Sequence, residues 1–301
     1  MSEALLSPSR FVAIDGLAGP AWIQDGGRRG HLHEGVPPGG AWVPELLAAA
    51  NGAVGNRWDA PAIELFVPGV LTAVGGPLTL GISGRGAVQL AEGEALRLGP
   101  PQPERLAYVA VRGGFVVPRV LGGTGLLRVA SLGGWEGRPL RRGDRLPVAA
   151  AAEPFFAPPH QVAALDPRAA IRVIPGPDEG AFASGALDAF CAASWRIDPA
   201  SDRTGLRLLG PALERRGADA GISLPMVEGA IEVPAGGAPI VLGPDHPTTG
   251  GYPVIATVIR ADRGALAARR PGAEVRFEVV EADVARAAWA AHRARWEMLD
   301  G

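Results

Sequence analysis

The sequence contains no lysine. The 29 residues counted as lysine or arginine are all arginine. A Walker A phosphate loop needs a lysine, a Schiff-base enzyme needs an amine, and a biotin carrier needs a lysine to acylate. The chain by itself therefore has neither covalent biotin nor a conventional P-loop nucleotide site. Any such site has to come from another polypeptide.

Cysteine is nearly absent as well. Cys191 is the single cysteine, which excludes an internal disulfide and a CxxC metal site. Leu187, Phe190 and Cys191 recur at helical spacing, a pattern typical of one helix face turned towards a core. We therefore interpret Cys191 as a core thiol rather than a nucleophile.

The chain has neither a strong charge nor a long apolar helix. Its net charge is -2 and its pI is near 6.2, so no basic field attracts nucleic acid. The run Leu65–Gly84 carries no charge, but Pro68-Gly69 and Gly75–Pro77 would break a membrane helix within it. The start of the sequence lacks the apolar core of a secretory signal. These features predict a cytoplasmic protein that binds neither nucleic acid nor a membrane.

Glycine and proline, by contrast, are abundant, with 43 and 29 residues. They predict many short strands joined by tight turns. The segments predicted as strands are Ala62–Val67, Val70–Val74, Leu78–Ser83, Leu106–Arg112, Ile171–Ile174, Leu206–Leu209, Ala230–Val233, Pro239–Gly243, Val254–Ile259 and Val275–Val280. The predicted helices are Pro44–Val54, Ser184–Trp195 with Ser184 as its cap, Asp262–Arg269 and Glu281–Leu299. Many strands with few helices between them favour a mainly β fold, a barrel or a sandwich.

One stretch interrupts the rhythm of strands. From Val148 to Ala170 the chain is rich in alanine and proline, a composition typical of linkers. We therefore predict an N-terminal β-barrel lobe over residues 1–150 and a linker over residues 151–170. A C-terminal β-barrel lobe with a terminal helix is predicted over residues 171–301.

Polar and glycine-rich motifs follow one another along most of the chain. They are Gln24–Gly30, Gly35–Pro37, Gly40-Ala41, Tyr108–Asp144, Val173–Pro177, Ser201–Leu208, Glu228–Pro234 and Asp245–Pro253. In this order, the motifs make the chain resemble the family of 5-oxoprolinase C subunits. That family is also called allophanate hydrolase subunit 2 or biotin-dependent carboxyltransferase-like. The resemblance implies two cyclophilin-like β-barrel lobes with a few short helices and a C-terminal helix.

The resemblance also implies a function. Relatives of this kind belong to a multi-subunit 5-oxoprolinase, which opens 5-oxo-L-proline to L-glutamate with ATP hydrolysis. The chain would then be its C-subunit-like component, with a B-subunit-like protein, an A-subunit-like protein and a small amide substrate as partners. ATP would act at the level of the complex. Two alternatives stay open: a non-catalytic binding or regulatory module of the kinase-inhibitor-antagonist type, and a carboxyltransferase acting on biotin or a urea-like amide in trans.

The chain departs from the family pattern where polar side chains are expected. The departures are Gly39, Val43, Gly122, Gly123, Leu224, Pro225 and Pro247. Several hydroxyl, carboxylate and amide groups expected to face a site are therefore missing. These losses favour the non-catalytic alternative, and the sequence alone does not decide whether the site is active.

The segment from Thr248 to Tyr252 is the main candidate for a site. Thr248 and Thr249 supply hydroxyls, and Gly250 and Gly251 expose backbone N–H groups that can hold a carboxylate or a developing oxyanion. We predict these four residues to bind substrate and the Tyr252 phenol to act in catalysis. The alternative interpretation is an ordinary hairpin turn.

Charged residues complete the predicted site. His246 is the candidate proton carrier, and Arg203 could bind a substrate carboxylate through its planar guanidinium. Arg203 is grouped with His246 and Tyr252 as catalytic, and Asp202, before the same strand, is predicted to bind substrate. Asp25 and Arg28 form a similar pair in the first lobe and are predicted to bind substrate. Structural salt bridges are the alternative for both pairs.

No metal site is predicted. His31 and His33 would lie on one face of an extended segment, but the sequence shows no third ligand. The predicted site is instead one concave surface that joins Asp202 and Arg203 to the segment from His246 to Tyr252.

Overall fold

The computed structural model describes residues 9–150, 165–166, 168–216 and 223–297. They form two compact units. The first contains residues 9–28 and 44–150, and the second contains residues 29–43 and the described residues from 165 onwards. Most of the predicted linker 151–170 lies outside the described residues, so the predicted division of the chain stays a prediction. Among the described helices, none is long and apolar enough to cross a membrane.

The first unit is built from antiparallel strands and one helix. Its strands are β1 (Phe11–Leu17), β2 (Ala21–Gln24), β3 (Ala62–Leu65), β4 (Gly69–Val74), β5 (Leu78–Ile82), β6 (Gly86–Leu90), β7 (Ala95–Leu98), β8 (Ala107–Val111) and β9 (Arg145–Pro147). Its helix is α1 (Pro44–Gly52), and Arg128–Ala130 is a 3-10 helix. The strands form sheets in the orders β7-β4-β1-β9 and β2-β3-β8-β5-β6.

Alternating burial produces the core of the first unit. Along β4 every second side chain is buried, as expected of a strand with one face on the core. Ile14, Leu80 and Val109 are among the buried residues of this cluster. α1 approaches β5 closely because Gly81 has no side chain: a Cβ there would overlap the carbonyl oxygen of Ala50.

The second unit has ten described strands, eight in one large sheet and two in a separate pair. Its strands are β10 (Ile171–Pro175), β11 (Trp195–Ile197), β12 (Gly205–Leu209), β13 (Leu224–Pro225), β14 (Ala230–Glu232), β15 (Ile240–Leu242), β16 (Thr249–Gly250), β17 (Val254–Val258), β18 (Glu274–Val275) and β19 (Phe277–Val279). Its α-helices are α2 (Ala186–Ala192), α3 (Arg263–Ala267) and α4 (Ala282–Glu297). Its 3-10 helices are Leu32–Glu34, Glu179–Ala181 and Arg260–Asp262.

The large sheet is a nearly closed barrel. Its strand order is β18-β11-β12-β15-β14-β17-β10-β19, so two consecutive strands of the chain, β18 and β19, form its opposite edges. The ring of Phe190 lies 5.3 Å from that of Trp195 and 4.6 Å from that of Phe277. The indole N–H of Trp195 donates to the carbonyl of Phe190 at 2.9 Å, which satisfies the one polar group of this buried ring.

The mainly β fold predicted from the sequence is confirmed. Each predicted strand overlaps an observed strand, and the four predicted helices are found with shorter bounds. The predicted cap of α2 is wrong, because Gly185 rather than Ser184 precedes the helix and no side chain bonds its first turn. Gly185 has a φ of 77°, a left-handed conformation that suits glycine. Cys191 is partly buried in α2, and burial raises the pKa of its thiol.

Candidate functional site

Strand pairing in the second unit brings two predicted segments together. Asp202 and Arg203 precede β12, whereas Asp245 and His246 follow β15. The two strands are antiparallel neighbours, with Gly205 opposite Leu242, so the start of one lies beside the end of the other. The N–H of Asp245 donates to the carbonyl of Arg203 at 3.1 Å.

Arg203 and Asp245 form a buried two-pronged ion pair. Nε and Nη2 of Arg203 donate to the two carboxylate oxygens of Asp245 at 2.8 and 2.9 Å. Nη2 also donates to the carbonyl of Gly40 at 2.7 Å. The side chains are 6% and 9% exposed. Parallel charge-assisted bonds of this kind fix the guanidinium in one orientation.

The anion that Arg203 binds is not its neighbour in sequence. Asp202 is exposed, and its Oδ1 accepts the N–H of Thr204 at 2.9 Å. This bond closes a turn that leads into β12. The structural bridge expected between Asp202 and Arg203 is thus made by Asp245 instead, because the strand pairing places Asp245 within reach.

His246 is fixed in one tautomer. It is 1% exposed, and its ring Nδ1 lies 2.8 Å from the carbonyl oxygen of Pro247. A carbonyl oxygen can only accept, so Nδ1 carries the hydrogen and the neutral ring keeps a lone pair on Nε2. The ring is therefore set up to accept a proton at Nε2.

The segment from Thr248 to Tyr252 contains the short strand β16 with a bend at each end, and this bent segment is referred to below as the turn. β16 pairs with β13, with Gly250 opposite Leu224, and the N–H of Met226 donates to the carbonyl of Thr248 at 2.9 Å. Thr249 is exposed, Tyr252 is 45% exposed, and Thr248, Gly250 and Gly251 are half-buried. β14 and β15 lie between β13 and β16 in the chain, so this pairing is not the hairpin turn considered as the alternative. The exposure of the polar groups leaves the segment accessible to a ligand.

A buried carboxyl group, which the sequence analysis did not assign to the site, lies behind this turn. A Cβ built on Gly250 would overlap Oε1 of Glu232 and would lie 3.0 Å from Cγ of Met226. Glu232 is 5% exposed, and burial raises the pKa of its carboxyl group. The available signal was a single acidic residue between Ile231 and Val233 in a motif that otherwise predicts a buried strand.

Several departures from the family pattern gather at the same place. Leu224 and Pro225 form β13 and pair directly with the turn. The carbonyl of Pro247 accepts the hydrogen bond of His246. The N–H of Gly39 donates to the carbonyl of Pro244 at 3.0 Å. These residues, which distinguish the chain from the family pattern, are therefore neighbours of the candidate site.

Asp25 and Arg28 lie in the first unit and shape one of its loops. Asp25 accepts from the N–H and the hydroxyl of Thr124 at 2.6 and 2.9 Å, and from the N–H of Gly125 at 3.3 Å. Arg28 donates to the carbonyls of Gly125 and Val120. Gly122 and Gly123 belong to the same loop. The role of Asp25 and Arg28 in substrate binding stays a prediction, and the bonds described here are those of a loop support.

His31 and His33 do not lie on one face of an extended segment, the arrangement considered from the sequence. His31 precedes the 3-10 helix Leu32–Glu34, and its Nδ1 lies 2.5 Å from Oε2 of Glu34. This contact lowers the pKa of the Glu34 carboxyl group. Within the part of the chain that the structure describes, no three acidic, histidine or cysteine side chains are grouped to hold a metal ion.

Comparisons with known proteins identify the family to which the chain belongs. Residues 34–279 match the family model of the carboxyltransferase domain, subdomain A and B, and the chain belongs to this family. It is 34% identical to the C subunit of 5-oxoprolinase from Escherichia coli (strain K12) over 85% of this chain and 86% of that protein. It is 32% identical to the C subunit of 5-oxoprolinase from Haemophilus influenzae over 86% of this chain and 88% of that protein.

A solved structure extends the comparison. The Kluyveromyces lactis urea carboxylase superposes with a TM-score of 0.86 at 25% identity. The match covers 99% of this chain but 30% of the urea carboxylase chain. The chain thus corresponds to less than a third of that larger protein, and the shared family includes proteins of different activity.

Proposed function

We propose that this chain is the C-subunit-like component of an ATP-dependent 5-oxoprolinase that opens 5-oxo-L-proline to L-glutamate. The observation that carries the proposal is the similarity to two 5-oxoprolinase C subunits, which extends over at least 85% of each chain in both comparisons. The larger urea carboxylase, by contrast, is matched over only 30% of its length. A B-subunit-like protein and an A-subunit-like protein are the proposed partners.

The candidate site fits an amide substrate. The lactam oxygen of 5-oxo-L-proline acquires negative charge when a nucleophile adds to the carbonyl carbon, before the C–N bond breaks, and hydrogen-bond donors stabilise that charge. The side-chain-free backbone at Gly250 and Gly251 gives close access to such an oxygen. We assign His246, through Nε2, to accepting a proton during the reaction. Tyr252 and the hydroxyls of Thr248 and Thr249 are the proposed contacts to the substrate.

Arg203 has a positioning role within this proposal. Its ion pair with Asp245 joins the start of β12 to the residue before His246. A fixed Asp245 in turn fixes the backbone that leads into the turn. Arg203 therefore acts through the geometry of His246 and the turn, in addition to any contact with a substrate carboxylate.

ATP is proposed to act at the level of the complex. This chain has no lysine and no P-loop motif, and arginine-rich loops without these features do not build a conventional nucleotide-phosphate site. We assign ATP binding to a partner protein and derive no step through it.

Reconstitution tests the proposal. The purified chain, the A-subunit-like and B-subunit-like proteins of the same organism, and the mixture of all three are compared for ATP-dependent release of glutamate from 5-oxo-L-proline. We expect turnover by the three-component mixture and none by this chain alone, because we assign the nucleotide site to a partner protein. Turnover by the isolated chain, or equal turnover when it is omitted, would contradict the proposal.

A second function is favoured by one observation. The departures Leu224, Pro225 and Pro247 contact the turn and His246, and they replace polar groups expected by the family pattern. A non-catalytic binding module needs the fold but not those groups. If the chain is such a module, we expect it to form a stable complex with a B-subunit-like partner. That complex would release no glutamate from 5-oxo-L-proline in the reconstitution experiment. Transfer of the carboxyl group from carboxybiotin to a urea-like amide by that mixture, with release of free biotin, would instead indicate the third function, carboxyl transfer in trans.

A further inference from the structure

Glu232 is an acidic residue in the middle of the large sheet. It ends β14, which lies between β15 and β17, and it pairs with Ile240 on one side and Val254 on the other. It is 5% exposed. The buried residues Met226, Ala230, Leu242 and Val254 form an apolar cluster of this unit. A glutamate in such surroundings is unusual because removing a charge from water is costly.

One oxygen of the Glu232 carboxyl group lacks a partner. Oε1 is fully buried and has no hydrogen-bond partner in the part of the chain that the structure describes. Burial is the cause that raises the pKa of this group, so the neutral acid is favoured. A neutral carboxylic acid carries one O–H donor. An unpaired polar atom in a buried position suggests a function, since native proteins leave few such groups unpaired.

The position of Gly250 shows the direction in which the Glu232 carboxyl group points. A Cβ at Gly250 would overlap Oε1, and the adjacent methionine atoms, Cγ and Cε of Met226, would lie 3.0 and 3.1 Å from it. The φ of Gly250 is not in the left-handed region. Its lack of a side chain is therefore explained by space rather than by backbone conformation. The carboxyl group lies directly beneath the turn from Thr248 to Tyr252.

We propose that the carboxyl group of Glu232 lies at the bottom of the amide site and donates a hydrogen bond to the carbonyl oxygen of the substrate beneath Gly250 and Gly251. This inference rests on the proposed function and specifies its substrate contact. The ribbon of β13 and β16 is only two residue pairs long, so opening it to admit a ligand would break few backbone hydrogen bonds. Glu232 acts as a donor in its protonated form, the form that burial favours, and no covalent bond is formed or broken at Glu232.

Two substitutions separate the hydrogen bond from packing. Glu232→Gln keeps the shape and an N–H donor, whereas Glu232→Leu fills the same space without a donor. In the reconstituted complex we expect Glu232→Leu to lower kcat by about 10²–10³, the usual effect of losing one donor to a developing oxyanion. Glu232→Gln should retain most of the turnover. Glu278→Gln, an exposed glutamate on β19, is the matched control and should change nothing. Full activity of Glu232→Leu would overturn the inference.

Stability against pH tests the protonation state independently of activity. In the unfolded chain Glu232 ionises above its ordinary pKa of 4.5, while the folded chain keeps it neutral to higher pH. The unfolded state thus releases a proton that the folded state retains, so wild-type stability falls relative to Glu232→Gln as pH rises above that value. The urea midpoint of the wild-type protein should therefore fall relative to the midpoint of Glu232→Gln as the pH rises. A difference between the two midpoints that does not change with pH would overturn the assignment of Glu232 as a protonated acid.

A binding measurement distinguishes failure of the inference from failure of the proposed function. If the wild-type complex releases no glutamate, the proposed function is wrong, and calorimetric binding of 2-pyrrolidinone to the chain then decides the role of Glu232. This lactam has the carbonyl group without the carboxylate. Binding that weakens at least tenfold in Glu232→Leu and is retained in Glu232→Gln supports the donor role. Equal binding by all three proteins, or no binding at all, overturns it.

Discussion

Replacing Arg203 with alanine is expected to destabilise the chain by about 3–5 kcal/mol, the usual cost of removing one partner of a buried ion pair. Asp245 would lose both of its bonds from the guanidinium and would remain in a site where its side chain is 9% exposed. The carbonyl of Gly40 would lose a donor as well. The measurement is urea-induced unfolding of the purified chain, followed by tryptophan fluorescence.

Arg207→Ala is the matched control for this experiment. Arg207 is an exposed arginine of β12, the strand that follows Arg203, and surface substitutions usually change stability by less than about 0.5 kcal/mol. The double variant Arg203→Ala/Asp245→Ala should lose less than the sum of the two single losses, because it leaves no unpaired charge. If Arg203→Ala were as mild as the control, the ion pair would not hold the two segments together.

Replacing His246 with alanine is expected to lower the kcat of the reconstituted complex by about 10²–10⁴, the range typical of losing a positioned proton-transfer group. The bond from Nδ1 to the carbonyl of Pro247 presents Nε2 as the acceptor. His246→Gln refines the test, because glutamine can donate to the same carbonyl but cannot accept a proton at neutral pH. ATP-dependent glutamate release measures both variants.

The two His246 variants separate proton transfer from packing. His246→Gln should unfold near the wild-type urea midpoint yet show the same low kcat as His246→Ala. His33→Ala, an exposed histidine of the same unit, should leave kcat unchanged. Wild-type kcat in His246→Gln would show that the ring has only a structural role.

Much of the fold was predictable where local patterns were regular. The alternation in β4 and the apolar run of β17 identified both strands, and Pro44 correctly marked the start of α1. β1 was missed because a register shift between Ile14 and Gly16 interrupts its alternation. β13 and β16 contain proline and glycine, which are depleted in strands, and only their pairing in the folded unit defines them.

The site was predictable in its segments but not in its contacts. The motifs at Arg203 and His246 were assigned to one site, and the pairing of β12 with β15 explains why they meet. The true partner of Arg203 is 42 residues away in sequence, a distance that no local pattern reveals. Glu232 was overlooked because the turn above it, which gives it a role, becomes its neighbour only in three dimensions.

The central claim is that the turn at Gly250 is a ligand site, and Gly250→Val tests it most directly. The valine side chain would fill the space against Glu232 and Met226 and block a substrate beneath the turn. Gly236→Val is the matched control, since no atom lies within 4 Å of a Cβ at that position. With glutamate release measured in the reconstituted complex, we predict that kcat/KM collapses for Gly250→Val and stays at the wild-type value for Gly236→Val. Wild-type kcat/KM in both variants would contradict the account.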